Sequence, residues 1–442
     1  MPDSSSFYAN AAGPRSMEHR TILSRPRPRL FMRTLTVPFR IACVLTFTAT
    51  LLTACSGSAP VAMPAHQTTR CEVTSDGDKH AAPRFRLLGE VRWDVDTAYG
   101  GVPVGGLSSI DWDAGRGVFW LVSDDRAVNG PARFYSARMQ YDERGLQHVW
   151  LSGMHTLLDP EQRPYANAQQ PSKGVAVPDA EAMRAVPGSD RLLWASEGDF
   201  PRGFGPELNE IRSDGHWLRR WPLPESLTQI ARNSGPRNGF TLEGMAFSPD
   251  ARTLWLAMEG ALKQDGAMPT PGDAGAPVRI TALDAHSHQP LRQIACQPDA
   301  LPASIALLPQ RAVNGVSDIL ADGPDHLLVL ERSFSLGEGW GAKLYRIDIR
   351  ESATTDVLNL HRIPPDSSRT ARKTLVLDFA RLGLRSVDNL EGMTWGPPLT
   401  NGERVLLLVS DNNFNPAEVT QFIALAELPR CKTEQFTMAP GV

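Results

Sequence analysis

One short pattern recurs five times along this chain of 442 residues. Each copy opens with an acidic or Ser-Asp turn, continues into an apolar strand, turns, and ends a second apolar strand with another acid. The copies occupy residues 106–125, 179–197, 242–259, 316–331 and 390–411. They start roughly 60 to 75 residues apart, a spacing typical of propeller blades that carry loop insertions. The same repeat therefore predicts both the fold and the place of a site.

The two apolar runs of each copy are separated by turn residues, such as Asp113 to Gly117 in the first copy, which predicts a hairpin. Two more strand-like segments follow each hairpin, for example Arg133 to Gln140 and Leu146 to Gly153. In the fourth unit they are Lys343 to Ile349 and Thr355 to Leu360. Four antiparallel strands per repeat, with the inner strand apolar on both faces, are what a propeller blade requires.

The predicted fold is therefore an all-β propeller of about five four-stranded blades. The last unit ends before a fourth strand appears, and the unused strand Phe85 to Trp93 could close the ring there. A divergent sixth blade within residues 354 to 390 is left open. An α/β fold is not supported because a sustained helical period is missing, and a sandwich would lack the long repeat.

The N-terminal region predicts export. Residues 1–31 are an upstream extension or follow a misassigned start, and Met32 begins a better signal sequence with the apolar stretch Ile41 to Leu52. Residues 32–54 then form a lipoprotein signal peptide, since Leu52-Thr53-Ala54-Cys55 resembles a lipobox that makes Cys55 the lipidated residue. An ordinary signal or a short membrane anchor is the alternative. Ser56 gives no retention signal of the Asp type, which favours an outer-membrane anchor facing the periplasm.

Further boundaries follow from composition. Residues 55–83 read as a flexible tether, 84–430 as the propeller and 431–442 as a C-terminal tail. In an oxidising compartment Cys71 and Cys431 could form a disulfide where the ring closes, leaving Cys296 free, although none of the three need pair. A net charge of −4 without a basic run argues against nucleic acid as a partner, and we expect a monomer.

The repeated acids predict the site. The start of each inner strand and the end of its neighbour are expected at opposite rims of the channel or on loops, where equivalent residues form rings. One ring would contain Glu181, Glu243, Asp318 and Glu391, with Asp111 or Ser109 in the first copy; the other would contain Asp124, Glu197, Glu259, Glu331 and Asp411. Strand-end acids also serve as turn residues, but Glu in the two Leu-Glu-Gly-Met copies is a poor turn former.

Several converging carboxylates require cations or protons, because like charges within ~6 Å raise each other's pKa. Oxygen ligands without a His or Cys cluster favour Ca²⁺, then Mg²⁺, over zinc. Metal ligands are expected among all ten acids: Asp111, Asp124, Glu181, Glu197, Glu243, Glu259, Asp318, Glu331, Glu391 and Asp411. The basic residues Arg126, Lys263 and Arg332 are candidates for binding a substrate anion, although solvated blade-edge charges are the common case.

The joint pattern resembles the phytase-like esterase family over about residues 84 to 427. It is carried by motifs such as Thr-Leu-Glu-Gly-Met-Ala-Phe at 241–247 with Ala-Met-Glu-Gly-Ala at 257–261, and Asn-Leu-Glu-Gly-Met-Thr-Trp at 389–395 with Val-Ser-Asp-Asn-Asn-Phe at 409–414. The resemblance implies an exported propeller with acids at its centre and an ester or phosphoester hydrolase activity. The Arg-His-Gly-x-Arg-x-Pro motif of histidine acid phosphatases is absent.

These features lead to three hypotheses. In the first, a Ca²⁺-dependent hydrolase acts on a small phosphate mono- or diester, with Glu181, Glu243, Asp318 and Glu391 as catalytic residues that hold the cations. In the second, a non-catalytic envelope lipoprotein binds a ligand or partner and uses calcium only for rigidity. In the third, the propeller hydrolyses lactones or carboxyl esters.

Overall fold

The structure is a computed structural model that describes residues 82–301, 312–350 and 370–429. Within these ranges it contains 22 strands and almost no helix. The predicted signal peptide, Cys55, the tether, Cys71, Cys431 and the C-terminal tail lie outside the described residues. Among the described residues no helix has the length and apolar character needed to cross a membrane.

The strands follow the chain in blade order. Before the first blade come β1 (Arg84–Trp93) and the small hairpin of β2 (Ala98–Tyr99) and β3 (Val102–Pro103). Blade 1 contains β4 (Leu107–Asp113), β5 (Val118–Ser123), β6 (Arg133–Asp142) and β7 (Gly145–Thr156). Blade 2 contains β8 (Ala180–Ala185), β9 (Arg191–Ser196), β10 (Glu207–Arg212) and β11 (Trp217–Trp221).

Blade 3 contains β12 (Leu242–Phe247), β13 (Thr253–Met258), β14 (Val278–Asp284) and β15 (Pro290–Cys296). Blade 4 contains β16 (Ala312–Ala321), β17 (His326–Ser335), β18 (Gly339–Asp348) and β19 (Lys373–Asp378). Blade 5 contains β20 (Asn389–Gly396), β21 (Val405–Asp411), β22 (Thr420–Leu428) and the N-terminal β1. Among the described residues, the helical segments are one short α-helix, Glu225–Thr228, and two 3₁₀ turns, Phe200–Arg202 and Phe379–Arg381.

The five-bladed fold and the closing strand are confirmed. β1 pairs antiparallel with β22 from Arg84 opposite Leu428 to Trp93 opposite Thr420, and so completes the last blade. The described part of the region 370–390 holds no sixth blade, because β19 pairs with β18 as the outer strand of blade 4. The expected outer strand at Thr355 to Leu360 lies outside the described residues, and β19 takes that place in the sheet.

Five apolar clusters hold the ring together, one between each pair of neighbouring blades. Strand β5 shows how one strand serves two of them. Phe119 and Leu121 pack toward blade 5, whereas Trp120 and Val122 pack toward blade 2. Because successive side chains of a strand point to opposite faces, an uninterrupted apolar run joins a blade to both of its neighbours. Cys296 is buried within the cluster between blades 3 and 4.

A buried ion pair joins the five inner strands near the axis. Arg184 of blade 2 and Asp318 of blade 4 are 2% and 1% exposed, and Arg184 Nη2 donates to both Asp318 carboxylate oxygens at 2.8 Å. Backbone N–H groups of Met245 in blade 3 and Met393 in blade 5 donate to the same carboxylate at 3.4 and 2.8 Å. Arg184 Nη1 donates to Ser109 Oγ of blade 1 at 2.8 Å. This axial ion pair therefore contacts every blade.

We expect Arg184→Met to destabilise the propeller by about 3–5 kcal/mol, because it leaves the Asp318 carboxylate buried without a counter-charge. Urea unfolding followed by circular dichroism measures the loss. Arg144→Met is the matched control, since Arg144 is 87% exposed beside Asp142 and its loss leaves the urea midpoint unchanged. The double variant Arg184→Met/Asp318→Leu should regain most of the stability; a double variant no better than the single one would contradict the assignment.

Candidate functional site: an acidic cluster at one rim of the ring

A β-bulge places one residue of every inner strand out of register at the same height. In each blade the pairing between the first two strands skips a single residue. The skipped residues are Ser108, Glu181, Glu243, Ser317 and Glu391. A bulge re-aims the side chain of its extra residue, which gives these five positions a common role in the fold. The chain therefore places three glutamates and two serines at this level of the ring.

The strand register shows that two residues predicted for the ring, Asp318 and Asp111, do not occupy the bulge positions. In blade 4 the skipped residue is Ser317, so Asp318 lies one residue farther along and belongs to the axial ion pair. In blade 1 the skipped residue is Ser108, three residues before Asp111. Asp111 accepts from the Ala185 N–H at 2.8 Å and lines a cavity of about 710 Å³ that Arg184 and the β4–β5 and β8–β9 turns also border. Burial raises the pKa of Asp111, like that of Asp318, to about 6.

The end of each second strand supplies the other half of the cluster. Leu107, Ala180, Leu242, Val316 and Leu390 pair with Ser123, Ser196, Met258, Glu331 and Ser410. The next residues in the chain are Asp124, Glu197, Glu259, Arg332 and Asp411. Since the strands are antiparallel, the start of one and the end of its neighbour lie at the same rim. Of the two alternatives predicted, opposite rims or loops, the first is wrong, because the two sets of positions lie at the same end of each hairpin.

Glu331 is therefore not equivalent to the other acids, and Arg332 takes that position in blade 4. Glu331 instead accepts from Lys373 Nζ at 2.5 Å and from the Asp299 backbone N–H at 2.9 Å. Asn314 Nδ2 donates to it at 3.2 Å. These contacts join Glu331 to the segment after β15 and to β19, outside the acidic rim.

Two groups of three carboxylates have oxygens that all lie within 4.8 Å of one another. The first trio is Asp179, Glu181 and Glu197; the second trio is Glu197, Glu243 and Glu259. These acids could bind a metal ion. Asp179 was missed in the sequence, although it lies two residues before Glu181, where a strand returns side chains to the same face. Asp124, Glu391 and Asp411 belong to neither trio.

Arg332 lies within this acidic rim. Its Nη1 is 3.3 Å from Glu259 Oε1 and its Nη2 is 3.0 Å from Glu391 Oε1. Asn389 Nδ2 donates to the same Glu391 oxygen at 2.8 Å. The guanidinium therefore joins Glu259 of the second trio to Glu391 of blade 5, and it neutralises part of the charge that converges there.

Burial raises the pKa of every carboxyl group in the cluster, and the neighbouring acids raise most of them further. The pKa of Glu197 rises to about 8, that of Glu259 to about 7 despite Arg332, and that of Asp179 to about 6 despite Arg126. Glu181, Glu243, Asp124 and Asp411 have pKa values well above their usual range. Without cations, several of these acids hold protons at neutral pH.

Two buried oxygens in the cluster, Glu243 Oε2 and Glu259 Oε1, have no hydrogen-bond partner among the described residues. Glu259 Oε1 lies 3.3 Å from Arg332 Nη1, whereas Glu243, which is 5% exposed, has no such neighbour for its Oε2 in the described part of the chain. A buried, unsatisfied oxygen costs about 1–3 kcal/mol, more when the group is charged. Such a position is stable only if the carboxyl is protonated or if a ligand supplies the missing contact.

The candidate substrate-binding residues are placed differently from one another. Arg126 lies beside the first trio, with Nη1 2.9 Å from Asp179 Oδ2 and Nη2 3.4 Å from Asp199 Oδ1. Lys263 donates to the Ala231 carbonyl at 2.8 Å and so stabilises a loop. Arg332 is paired inside the cluster, as described above. Substrate binding by all three stays a prediction.

Two glycines make room for the cluster. A Cβ on Gly106, which has φ of +64°, would lie 2.1 Å from Asp124 Oδ1. A Cβ on Gly315 would lie 2.6 Å from Glu259 Cγ. Nearby, Arg126 and Phe414 adopt positive φ values of 50° and 49° without being glycine. Backbone strain of this kind persists where the surrounding structure fixes a functional geometry.

Residues 102–414, more than half of the chain, match the phytase-like family described as having the esterase-like activity of phytase. The chain belongs to the phytase-like family. The family description indicates a hydrolase-type propeller for this phytase-like chain. A search of curated proteins found no match.

Solved structures are similar to this phytase-like chain only at low identity. The allergen Mala s 1 of Malassezia sympodialis is 12% identical over 76% of this chain and 95% of that chain, with a TM-score of 0.33. Hydrazine synthase of Kuenenia stuttgartiensis is 12% identical over 72% and 81%, with a TM-score of 0.33. A GH43 β-1,3-galactosidase is 10% identical over 75% and 94%, with a TM-score of 0.39. These similarities carry no argument about activity.

The pKa values predict how the cation-free protein responds to pH. Glu197 and Glu259 have folded pKa values of about 8 and 7, above the ordinary 4.5, so their contribution to stability is full below about 4.5 and is lost as pH rises through those values. We expect the melting temperature in chelator to fall between pH 5 and pH 8.5. The double variant Glu197→Gln/Glu259→Gln should flatten this dependence. A wild-type melting temperature that rises over the same range would contradict the assignment.

Proposed function

We propose that this phytase-like propeller is a cation-assisted hydrolase of phosphate mono- or diesters and that its site is the acidic cluster. The observation that carries the proposal is the convergence of eight carboxylates from four blades on one rim, with Arg332 among them. The family description supports an ester-bond hydrolase. The carboxylates of the cluster could bind cations, and these cations would in turn bind an anionic substrate.

The donor set favours Ca²⁺, with Mg²⁺ as the second choice. Both trios consist only of carboxylate oxygens, and Ca²⁺ takes six to eight oxygen ligands in flexible geometries. Mg²⁺ demands a stricter octahedral arrangement and retains several waters. When bound, the cation would polarise the phosphoryl oxygen and lower the pKa of a water molecule.

The acids outside the trios are suited to moving protons. Burial raises the pKa of Asp124 and of Asp411 well above the ordinary range, and Asp411 and Glu391, respectively, raise it further. A protonated carboxyl beside the leaving-group oxygen can donate its proton as the bond breaks. We assign this general-acid role to the Asp124–Asp411 pair. Glu391, held by Arg332 and Asn389, positions the guanidinium between the two halves of the cluster.

We assign substrate binding to Arg126. Its side chain is 34% exposed at the edge of the first trio, and its Nε has no hydrogen-bond partner within the part of the chain that the structure describes. A guanidinium in that setting can turn two donors toward a phosphate group in a bidentate manner. The substrate would then lie between Arg126 and the cations.

The activity test uses p-nitrophenyl phosphate, bis-p-nitrophenyl phosphate and phytate, with and without chelator. We expect hydrolysis of at least one of them, a loss of more than tenfold with chelator or with Glu243→Gln, and recovery when Ca²⁺ is restored to the wild-type protein. Glu161→Gln is the control, since Glu161 is 61% exposed on a turn.

The other outcomes identify the other hypotheses. Turnover of a sugar lactone without phosphate release would replace the phosphoester proposal by lactone hydrolysis. Cation-dependent stability with no hydrolysis of phosphoesters or lactones would indicate a ligand-binding propeller.

For the location of the protein, we propose export and lipid attachment at Cys55 after removal of residues 32–54. The basis is the run from Ile41 to Cys55 in the sequence. In a Gram-negative host, labelled palmitate should enter the wild-type protein and not the Cys55→Ala variant. Equal labelling of both proteins, or of neither, would refute lipidation at this residue.

A further inference from the structure

We infer that the acidic cluster is a paired cation site in which Glu197 bridges two divalent cations. The first would be held by Asp179, Glu181 and Glu197, and the second by Glu197, Glu243 and Glu259. This inference rests on the proposed function insofar as both require a cation at this rim. It goes further by assigning the number of cations and the ligands of each.

The spacing within each trio suits a single cation. Calcium–oxygen bonds are about 2.3–2.6 Å long, so two ligand oxygens on one Ca²⁺ lie at most about 5 Å apart. The oxygens of each trio lie within 4.8 Å of one another and meet this limit. All five side chains together form two overlapping groups rather than one, and the residue that the groups share is Glu197.

Glu197 is oriented for a shared role. The backbone N–H of Thr241 donates to Glu197 Oε1, and Thr241 Oγ1 donates to the Glu197 carbonyl at 3.1 Å. Thr241 begins the segment that leads into Glu243, so the same contact fixes the separation between blade 2 and blade 3 at this level. A carboxylate held in this way can offer oxygens to cations on either side of it.

An independent feature indicates a missing ligand in the second trio. Glu243 is 95% buried, and its Oε2 has no hydrogen-bond partner among the described residues, although it lies in a group of acids that approach one another closely. A turn or packing role would leave this oxygen either solvated or hydrogen-bonded. A cation between Glu197, Glu243 and Glu259 supplies the contact that the protein does not.

The charge in the cluster also favours two cations over one. The trios contain five carboxylates, while the nearby arginines are shared: Arg332 with Glu391, and Arg126 with Asp199. One divalent cation would neutralise two of the five carboxylates and leave three for two guanidinium groups that also pair with other acids. Two divalent cations would leave a single carboxylate, whose charge these guanidinium groups can neutralise.

The test counts Ca²⁺ ions bound to the full chain, after chelator treatment, by isothermal titration calorimetry. We expect two ions on the wild-type protein. Glu181→Gln removes a ligand of the first trio alone and Glu243→Gln a ligand of the second trio alone, so each should retain one ion with the other weakened at least tenfold. Glu197→Gln should weaken both ions at least tenfold, and Glu161→Gln should leave both unchanged.

Folding of the variants is checked in chelator by circular dichroism and melting temperature. Each Gln variant removes a buried charge, so we expect melting temperatures equal to or above the wild-type value, and a loss of binding is then not a loss of fold. A single ion on the wild-type protein would overturn the bridged pair while leaving the cation-assisted hydrolase intact. If the wild-type protein binds no Ca²⁺, both the paired site and the cation-assisted hydrolase are overturned. If Glu197→Gln binds both ions as tightly as the wild-type protein, the bridging role of Glu197 is overturned.

Discussion

The arrangement of this propeller depends on one charge pair that is removed from water at its axis. Arg184 and Asp318 come from blades that are not neighbours, and their hydrogen bonds reach the three remaining inner strands. Burying two charges is costly unless every donor and acceptor around them is used, so the pair fixes the height and rotation of the inner strands relative to one another. The acidic rim begins one residue away from Asp318, at Ser317, and its geometry follows from that fixed point.

The rim itself works against folding, because carboxylates forced together out of water repel one another. The apolar clusters between blades are continuous and large enough to tolerate this repulsion, as they use both faces of strands such as β5. The scaffold fixes this geometry locally, because the bulges, Gly106, Gly315, Arg126 and Phe414 all lie at the acidic end of the blades. Elsewhere in the described part of the chain, buried acids such as Asp125 and Asp265 pair directly with an arginine.

Most of the fold could be predicted from the sequence because a five-fold repeat leaves few alternatives. The hairpins and the pairing of β1 with the last blade followed from apolar runs and turn residues. The outer strand of blade 4 could not be located, since a long insertion separates β18 from β19 and the apolar stretch inside it competes for the same role. Sequence spacing also does not reveal a bulge. A shift of one residue turned Asp318 toward Arg184 and placed Arg332, not Glu331, in the rim.

The clustering of the acids could be predicted in outline for the same reason, because equivalent residues of a closed ring lie close together. The predicted acids that the structure brings to one rim are Glu181, Glu243, Glu391, Glu197, Glu259, Asp124 and Asp411, and their function stays a prediction. The exception in blade 4 was visible at one position: Arg332 follows Glu331 where each of the other copies has an acid, Asp124, Glu197, Glu259 or Asp411. Aligning Arg332 with these acids would have indicated a basic residue in the ring. Asp179 required the three-dimensional spacing, since its own position holds no acid in the other blades.

The pairing of β1 with β22 has a consequence for how the protein is made. These strands are more than 300 residues apart, so the N-terminal strand emerges first and must wait, with its hydrogen-bonding edge bare, until the final strand has been synthesised. Loop closure over such a distance is slow, and an unpaired apolar edge invites association with other chains. Nascent chains would therefore need protection from aggregation until β1 pairs with β22. A chain truncated before β22 could not close into a smaller stable ring.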